Sequence, residues 1–277
     1  MADTLVTDTV TANHKQKLIA QVVQMELAKK ANLLQTVTDV SVFAEDGLSS
    51  IYFPTLSSFT VTKKTSGTAV DAVALTHGGD ELLLNQQAVV QWIIEKKAAK
   101  QTRISTILEY AKRAAEAHVR AVNKDIADAI IAGVHTNNII ETESDWKKDF
   151  TNLIEVLDLQ EVPSDQRVAL VHPTDYKGLL QTADFVDASK YGASAPMYTG
   201  EIGQLYGVPV IKTSFVAAGA AVMYHKAALA FGFQSAPEYQ EESALAHLGR
   251  RYSIDQLYGL KILQAGVLAA KLAPATP

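Results

Sequence analysis

The stretch of this chain that comes nearest to a catalytic motif is Gly192-Ala193-Ser194-Ala195-Pro196. It sets a serine between small residues, as the nucleophile turn G-x-S-x-G does. Pro196 stands in place of the second glycine, and no strand leads into the segment. A plain loop is the simpler reading. An enzyme reading would place its site in the 184–200 loop and draw on His172, Asp175 and Ser194. The seven histidines (His14, His77, His118, His135, His172, His225 and His247) are scattered, with no pair at ligand spacing on one helix face. His172 and His225 each close an apolar run, which suits a structural role. Asp125 and Asp128 are three residues apart and read as a solvated face or an inter-subunit pair. Glu238, Glu241 and Glu242 read as a solvated strand or as a contact with a basic neighbour. Lys63-Lys64 and Arg250-Arg251 are basic spots too small for a nucleic-acid footprint, but suited to subunit contacts. No phosphate-binding glycine loop, dinucleotide fingerprint or H-E-x-x-H pair occurs. Catalytic, cofactor and metal sites are therefore all expected to be absent.

Elements that could position a site are plain enough. Residues 11–35 read as a helix, with Leu18, Val22 and Met25 on one face, after a loose arm at 5–10. Residues 49–64 are strand-like through Tyr52, Leu56, Phe59 and Val61. A turn around Gly67 follows, then a Gly78-Gly79 turn and a returning apolar run to 94. Such a hairpin has too few strands and too little apolar face to stand alone. From 103 to 132 apolar residues recur in steps of three and four, from Ile104 to Ile130, until Gly133 supplies a stop. That is a helix of roughly 45 Å, far longer than the ~11–12 residues usual in globular domains.

Trp146, Phe150, Leu153 and Leu157 mark a second amphipathic helix ended by Pro163, and "RVALVH" (167–172) reads as a buried strand. A helix start at Pro173-Thr174 and a long Gly, Ser and Pro loop over 184–201 follow. A Tyr206-Gly207 turn then enters the strand "VPVI" (208–211), where Pro209 suits an edge or irregular strand. Residues 220–233 and 238–273 complete the chain, the latter strand-rich with turns at Gly249, Gly259 and Gly266.

Composition narrows the classes further. The chain has 277 residues, 48% hydrophobic and 20% charged, with a net charge of −5. That length can bury a sizeable core. The acidic balance argues against electrostatic nucleic-acid binding as the main task. The chain has no cysteine, which removes disulfides, thiolate catalysis and cysteine-held metals. "MADTLVTDTV" lacks a basic start and an apolar run, so no secretory leader is expected. No segment approaches the ~20 apolar residues of a membrane span.

Taken in order, these elements resemble the major capsid proteins of tailed bacteriophages, a fold also used by encapsulin compartments and the herpesvirus capsid floor. The resemblance runs from about Thr11 to Leu272. It is carried by "IYFP" (51–54), "KKAAKQTRIS", "KDIADAII" (124–131), "LVHPTDYKGLLQ" (170–181), "GQLYGVPVIKTS" (203–214), "MYHKAALAFGF" (223–233) and "YGLKILQAGVLAAKLA" (258–273). It implies an α+β fold in five parts: an N-terminal arm and helix (1–47), an extended hairpin loop (48–95), a spine helix with the first part of a peripheral domain (96–172), an axial domain (173–235), and returning peripheral strands (236–277).

The implied function is a structural shell protein. It would self-assemble through pentamers and hexamers into an icosahedral capsid around double-stranded DNA, without sequence-specific binding and without a membrane. The implied location is the virion, with assembly in the host cytoplasm. A short arm implies a separate scaffolding protein, with a portal and a decoration protein as further partners. Tyr52, Phe53, Leu56, Phe59, Lys63 and Lys64 on the arm, with Arg250 and Arg251, are the expected assembly contacts. The arm aromatics would lie on a neighbouring subunit. Lys63 and Lys64 lie where some relatives cross-link covalently, but no partner asparagine or catalytic glutamate can be matched. An encapsulin-like compartment is the alternative within the fold, and a soluble α+β enzyme the alternative outside it.

Overall fold

The computed structural model describes residues 33–44, 47–56, 61, 63, 66, 77–101, 105–143, 145–180, 204–235, 237–263 and 269–272. The expected helix at 11–35 falls outside them except for its end, where Leu34–Thr36 is a 3₁₀ turn. Its Thr36 hydroxyl donates to the Leu33 carbonyl at 2.6 Å and shares a 2.5 Å hydrogen bond with the Tyr224 hydroxyl, tying this segment to the main core.

Strands β1 (Thr38–Asp39), β2 (Ser50–Leu56), β3 (His77–Leu83) and β4 (Gln86–Glu95) come first, then helices α1 (Lys96–Gln101) and α2 (Ser105–Gly133). Next are β5 (Ile139–Ile140), α3 (Trp146–Leu159), β6 (Arg167–Val171) and α4 (Pro173–Leu180). Strands β7 (Gln204–Leu205), β8 (Val208–Lys212), β9 (Ala221–His225), β10 (Leu229–Phe233), β11 (Glu238–Ala244), β12 (Gly249–Ile262) and β13 (Ala269–Leu272) complete the order.

The spine helix α2 is 29 residues long, about 43 Å at 1.5 Å per residue. Ala111, Ala114, Ala115, His118, Val119, Val122, Ile126 and Ile130 form its buried stripe. The first half of that stripe packs on a five-stranded sheet in the order β1-β10-β12-β11, with β4 on β12 as well. Alanines there let the helix lie close to the sheet. The second half enters the largest core, built around a six-stranded sheet in the order β5-β13-β9-β6-β8-β7. The third sheet is β2 paired with β3.

Gly78 and Gly79 are not a turn; they lie inside β3, opposite Thr55 and Pro54. A side chain at Gly79 would collide with the ring of Tyr52, which lies on the bare backbone. Gly259 is likewise mid-strand, not a turn. The Leu83 carbonyl comes within 2.3 Å of where its Cβ would be, so only glycine lets the hairpin approach β12. The returning run at 86–95 leaves the hairpin and pairs with β12 in the register Gln86↔Tyr258 to Glu95↔Gly249. By contrast, the Tyr206-Gly207 turn has positive φ at both residues, 50° and 82°, as a tight hairpin requires. Pro209 sits on β8 opposite Gln204, one strand in from the edge, where the two-residue β7 leaves the ladder short.

Sheets also combine segments far apart in sequence. β6, β8, β9 and β13 share one sheet, although the sequence reading divides them among three parts.

Candidate functional site

His172 accepts a hydrogen bond through Nδ1 from the Thr174 backbone N–H at 3.3 Å. His135 and His225 do the same two residues on, with Asn137 and Ala227. All three thus close turns. Asp175 accepts from the Gly219 N–H at 2.6 Å, joining α4 to the loop before β9. Asp125 accepts from the Tyr258 hydroxyl at 2.6 Å, and Asp128 pairs with Lys124 one turn earlier on the exposed face. Burial, then the bond to Asp125, raises the Tyr258 phenol's pKa well above its ordinary value. Ser194 lies outside the described residues. No group of three or more His, Asp or Glu side chains converges on a metal position among the described residues. No helix among them is long and apolar enough to cross a membrane.

Surfaces carry more information. On the hairpin, side chains alternate as a strand dictates. Ile51 and partly buried Phe53 turn inward onto Val40, Ala44, Leu82, Leu84 and Ala230. Phe53 therefore belongs in part to the chain's own core, because the base of the hairpin is covered by β10 and the turn at 41–43. Tyr52 points the other way and is 63% exposed. Leu56 ends β2, Lys63 is exposed, and Phe59 and Lys64 lie outside the described residues. An ion pair of 3.6 Å, Lys261 to Asp80, bridges the hairpin and β12 beside a shallow groove lined by Ala129, Leu260, Ile262 and Leu263.

The β11–β12 hairpin presents the second basic spot. Arg250 pairs with Glu241 and Arg251 with Glu242 at 3.8 Å, so the acidic run meets its basic neighbour within one chain. Both arginines remain exposed. The tip between these strands bears Leu245 and Leu248, 80% and 71% exposed, with Leu248 at φ 46°. A leucine in the left-handed region is uncommon. On the outer face of the five-stranded sheet, Val89 and Ile93 are exposed opposite Asp255 and Arg251. The sequence reading passed over these four apolar residues, since an apolar residue in a strand pattern is assigned to the interior by default.

A family model described as phage capsid protein matches residues 91–266. No curated protein matches the chain. Among solved structures, one from Mycobacterium phage Che8 superposes at a TM-score of 0.75 with 19% identity, covering 86% of this chain and 89% of that one. The capsid structure of Cyanophage P-SCSP1u gives 0.70 with 14% identity, over 87% of each chain. The virus-like particle from Pyrococcus furiosus gives 0.60 with 12% identity, over 94% of this chain and 99% of that one.

Proposed function

This chain belongs to the phage capsid protein family as a structural capsid protein, and on that premise we propose that copies of it close into an icosahedral shell around a double-stranded DNA genome. The observation that supports this most is a fold with a saturated core whose hairpin face, sheet face and hairpin tip are left uncovered: Tyr52, Val89, Ile93, Leu245 and Leu248. Apolar groups of this size set on separate surfaces suit a subunit that both gives and receives contacts around a ring. Tyr52, Leu56, Lys63, Arg250 and Arg251 are the proposed assembly residues, with Phe53 fixing the hairpin's base. The six-stranded sheet with α4 would form the axial part, and the spine helix with the five-stranded sheet the periphery. Scaffolding, portal and decoration proteins are the further partners of this reading, and the host cytoplasm is its place of assembly. No catalytic activity belongs to it.

Negative-stain microscopy and sedimentation of the purified chain test the proposal. Shells, tubes, or rings of five or six subunits are the expected outcome. A single monomeric species across salt and concentration would end it. The long overlap with the Pyrococcus furiosus particle supports a second reading, a compartment that holds protein cargo. Particles purified from the native source separate the two: packaged DNA supports the first and a co-purifying enzyme the second.

A further inference from the structure

The seam between the spine helix and the five-stranded sheet is lined by Ala111, Ala114, Ala115 and Val119 on one side and Tyr239, Tyr252 and Ile254 on the other. His118 is set into it, 2% exposed. Its Nε2 lies 3.2 Å from the Ile254 carbonyl oxygen. That carbonyl can only accept, so the neutral ring carries its proton on Nε2 and donates it. Nδ1 is buried with no partner. A bare lone pair is tolerable there. A second proton would create both an unmatched donor and a positive charge in apolar surroundings, and each is costly.

The groups facing this ring do little to accommodate that charge. From β12, Asp255 draws the ring's proton affinity up, but burial outweighs it and holds the His118 pKa below the ordinary histidine value. Asp255 is also engaged by the Gln87 side-chain amide at 3.4 Å. Tyr239 on β11 and Tyr252 on β12 have phenols raised mainly by burial, so both stay neutral. β4 presents Val90, Trp92 and Ile94, none of them charged. On the spine itself Ala114, Ala115, Ala121 and Val122 lie a turn away, while Glu116 and Arg120 are exposed. Trp92 Nε1 is also buried without a partner and, as a donor, cannot receive a proton-bearing Nδ1, while Gln256 Oε1, an unpaired acceptor, makes no hydrogen bond to the ring.

We propose that this seam is an acid-sensitive joint, in which protonation of His118 loosens the spine helix from the five-stranded sheet. In the shell, a consequence that rests on the capsid reading, subunits lose rigidity as pH falls. The sign follows from linkage. The folded chain holds His118 neutral where the unfolded chain would protonate it. Its contribution is complete above the ordinary histidine range and is lost as pH falls through that range toward the lower folded value.

Hydrogen–deuterium exchange at the imidazole carbon of each histidine in the full-length chain is the direct test. His118 is expected to titrate below the ordinary histidine range, in the direction its burial dictates. Amide exchange, corrected for intrinsic rate, should quicken about tenfold or more between roughly pH 7.5 and 5 in residues 111–122 and 249–256, with 167–171 and 221–225 unchanged. His118→Gln retains a donor for the Ile254 carbonyl and cannot titrate. It should lower the acid slope of the unfolding constant by up to about one proton, tenfold per pH unit. His118 titrating within the ordinary histidine range, or a variant with the parent's acid response, would overturn the joint. If the variant does not fold at neutral pH, the two exchange measurements on the parent decide. Microscopy at neutral pH separates the readings: absent shells with an intact seam response would remove the capsid role and leave the joint.

Discussion

The two large sheets differ in how much of themselves the chain covers. All five residues of β6 are buried, as are four of the five in β9. Phe150, Leu153 and Leu157 of α3, Tyr176 and Leu179 of α4 and the second half of the spine all enter that core. The five-stranded sheet is covered on both faces at β10, where Ala230 meets the hairpin cluster, but its outer face is open along β4 and β11. β4 alternates between half-buried and exposed along its length, and among the described residues it pairs with β12 alone. A sheet buried on both faces has finished its packing within one subunit. A sheet with one open face has surface left for a neighbour. On the proposed assembly, the six-stranded sheet is expected to set the stability of the subunit, and the open sheet face and hairpin its association.

Breaking the saturated side should cost most. Leu170→Ala, at a fully buried position of β6, should destabilise the subunit by about 2–5 kcal/mol. Denaturant unfolding with an unchanged slope measures it, and a loss below about 1 kcal/mol would show that this sheet is not the stability core. Gly259→Ala comes next, since it must push the Leu83 carbonyl away from β12. We expect a loss of about 1–3 kcal/mol and faster amide exchange at the hairpin base. An unchanged melt would mean the hairpin docks elsewhere.

The paired substitutions Phe53→Ala and Tyr52→Ala sharpen the contrast inside one strand. Removal of Phe53 should lower the melting temperature, because its ring packs against the buried cluster that includes Val40 and Leu82. Removal of Tyr52 should leave the melt within about 0.5 kcal/mol while raising the concentration needed for assembly severalfold. The reverse pattern would assign the faces of β2 wrongly. The smallest effect belongs to Arg250→Gln. Its ion pair with Glu241 is largely exposed, and such pairs contribute ~0–1 kcal/mol. A scan in low and high salt should show little change in melting, and a large loss would give that pair a role in folding.

Elements governed by local periodicity were legible from the residues alone. The spine was expected over 103–132 and spans Ser105–Gly133, because its stripe recurs without a break. The helix from Trp146 to Leu159 follows the same logic, and Asp145 caps it by accepting from the Lys147 N–H at 3.1 Å. Glycines inside strands were not legible. Gly79 and Gly259 carry the same turn signal as Gly207, but what fixes them is a ring and a carbonyl brought in from distant segments. The partner of 86–95 was hidden for a related reason, since a strand's pattern gives its faces and not its neighbour. The assembly surface was legible in part. Tyr52 stands out by its place on the hairpin, whereas exposed Val89, Ile93, Leu245 and Leu248 look like core until the sheet is built. His118 gave no signal beyond being a lone histidine among alanines.

The place of β13 in the six-stranded sheet has a consequence for synthesis. Lys271 pairs in parallel with Ile139 on one side and antiparallel with Val222 on the other. The first of these pairings joins positions about 130 residues apart, the kind of long-range closure that is slow and comes late in folding. While a ribosome is still adding residues before 269, β5 and β9 have no strand between them, and the core they share stays unsealed. A chain without β13 leaves the core of the six-stranded sheet open on that side. On the shell reading, a chain that stops short of 269 is therefore expected to join particles poorly, and the order of synthesis would favour finished subunits over unfinished ones.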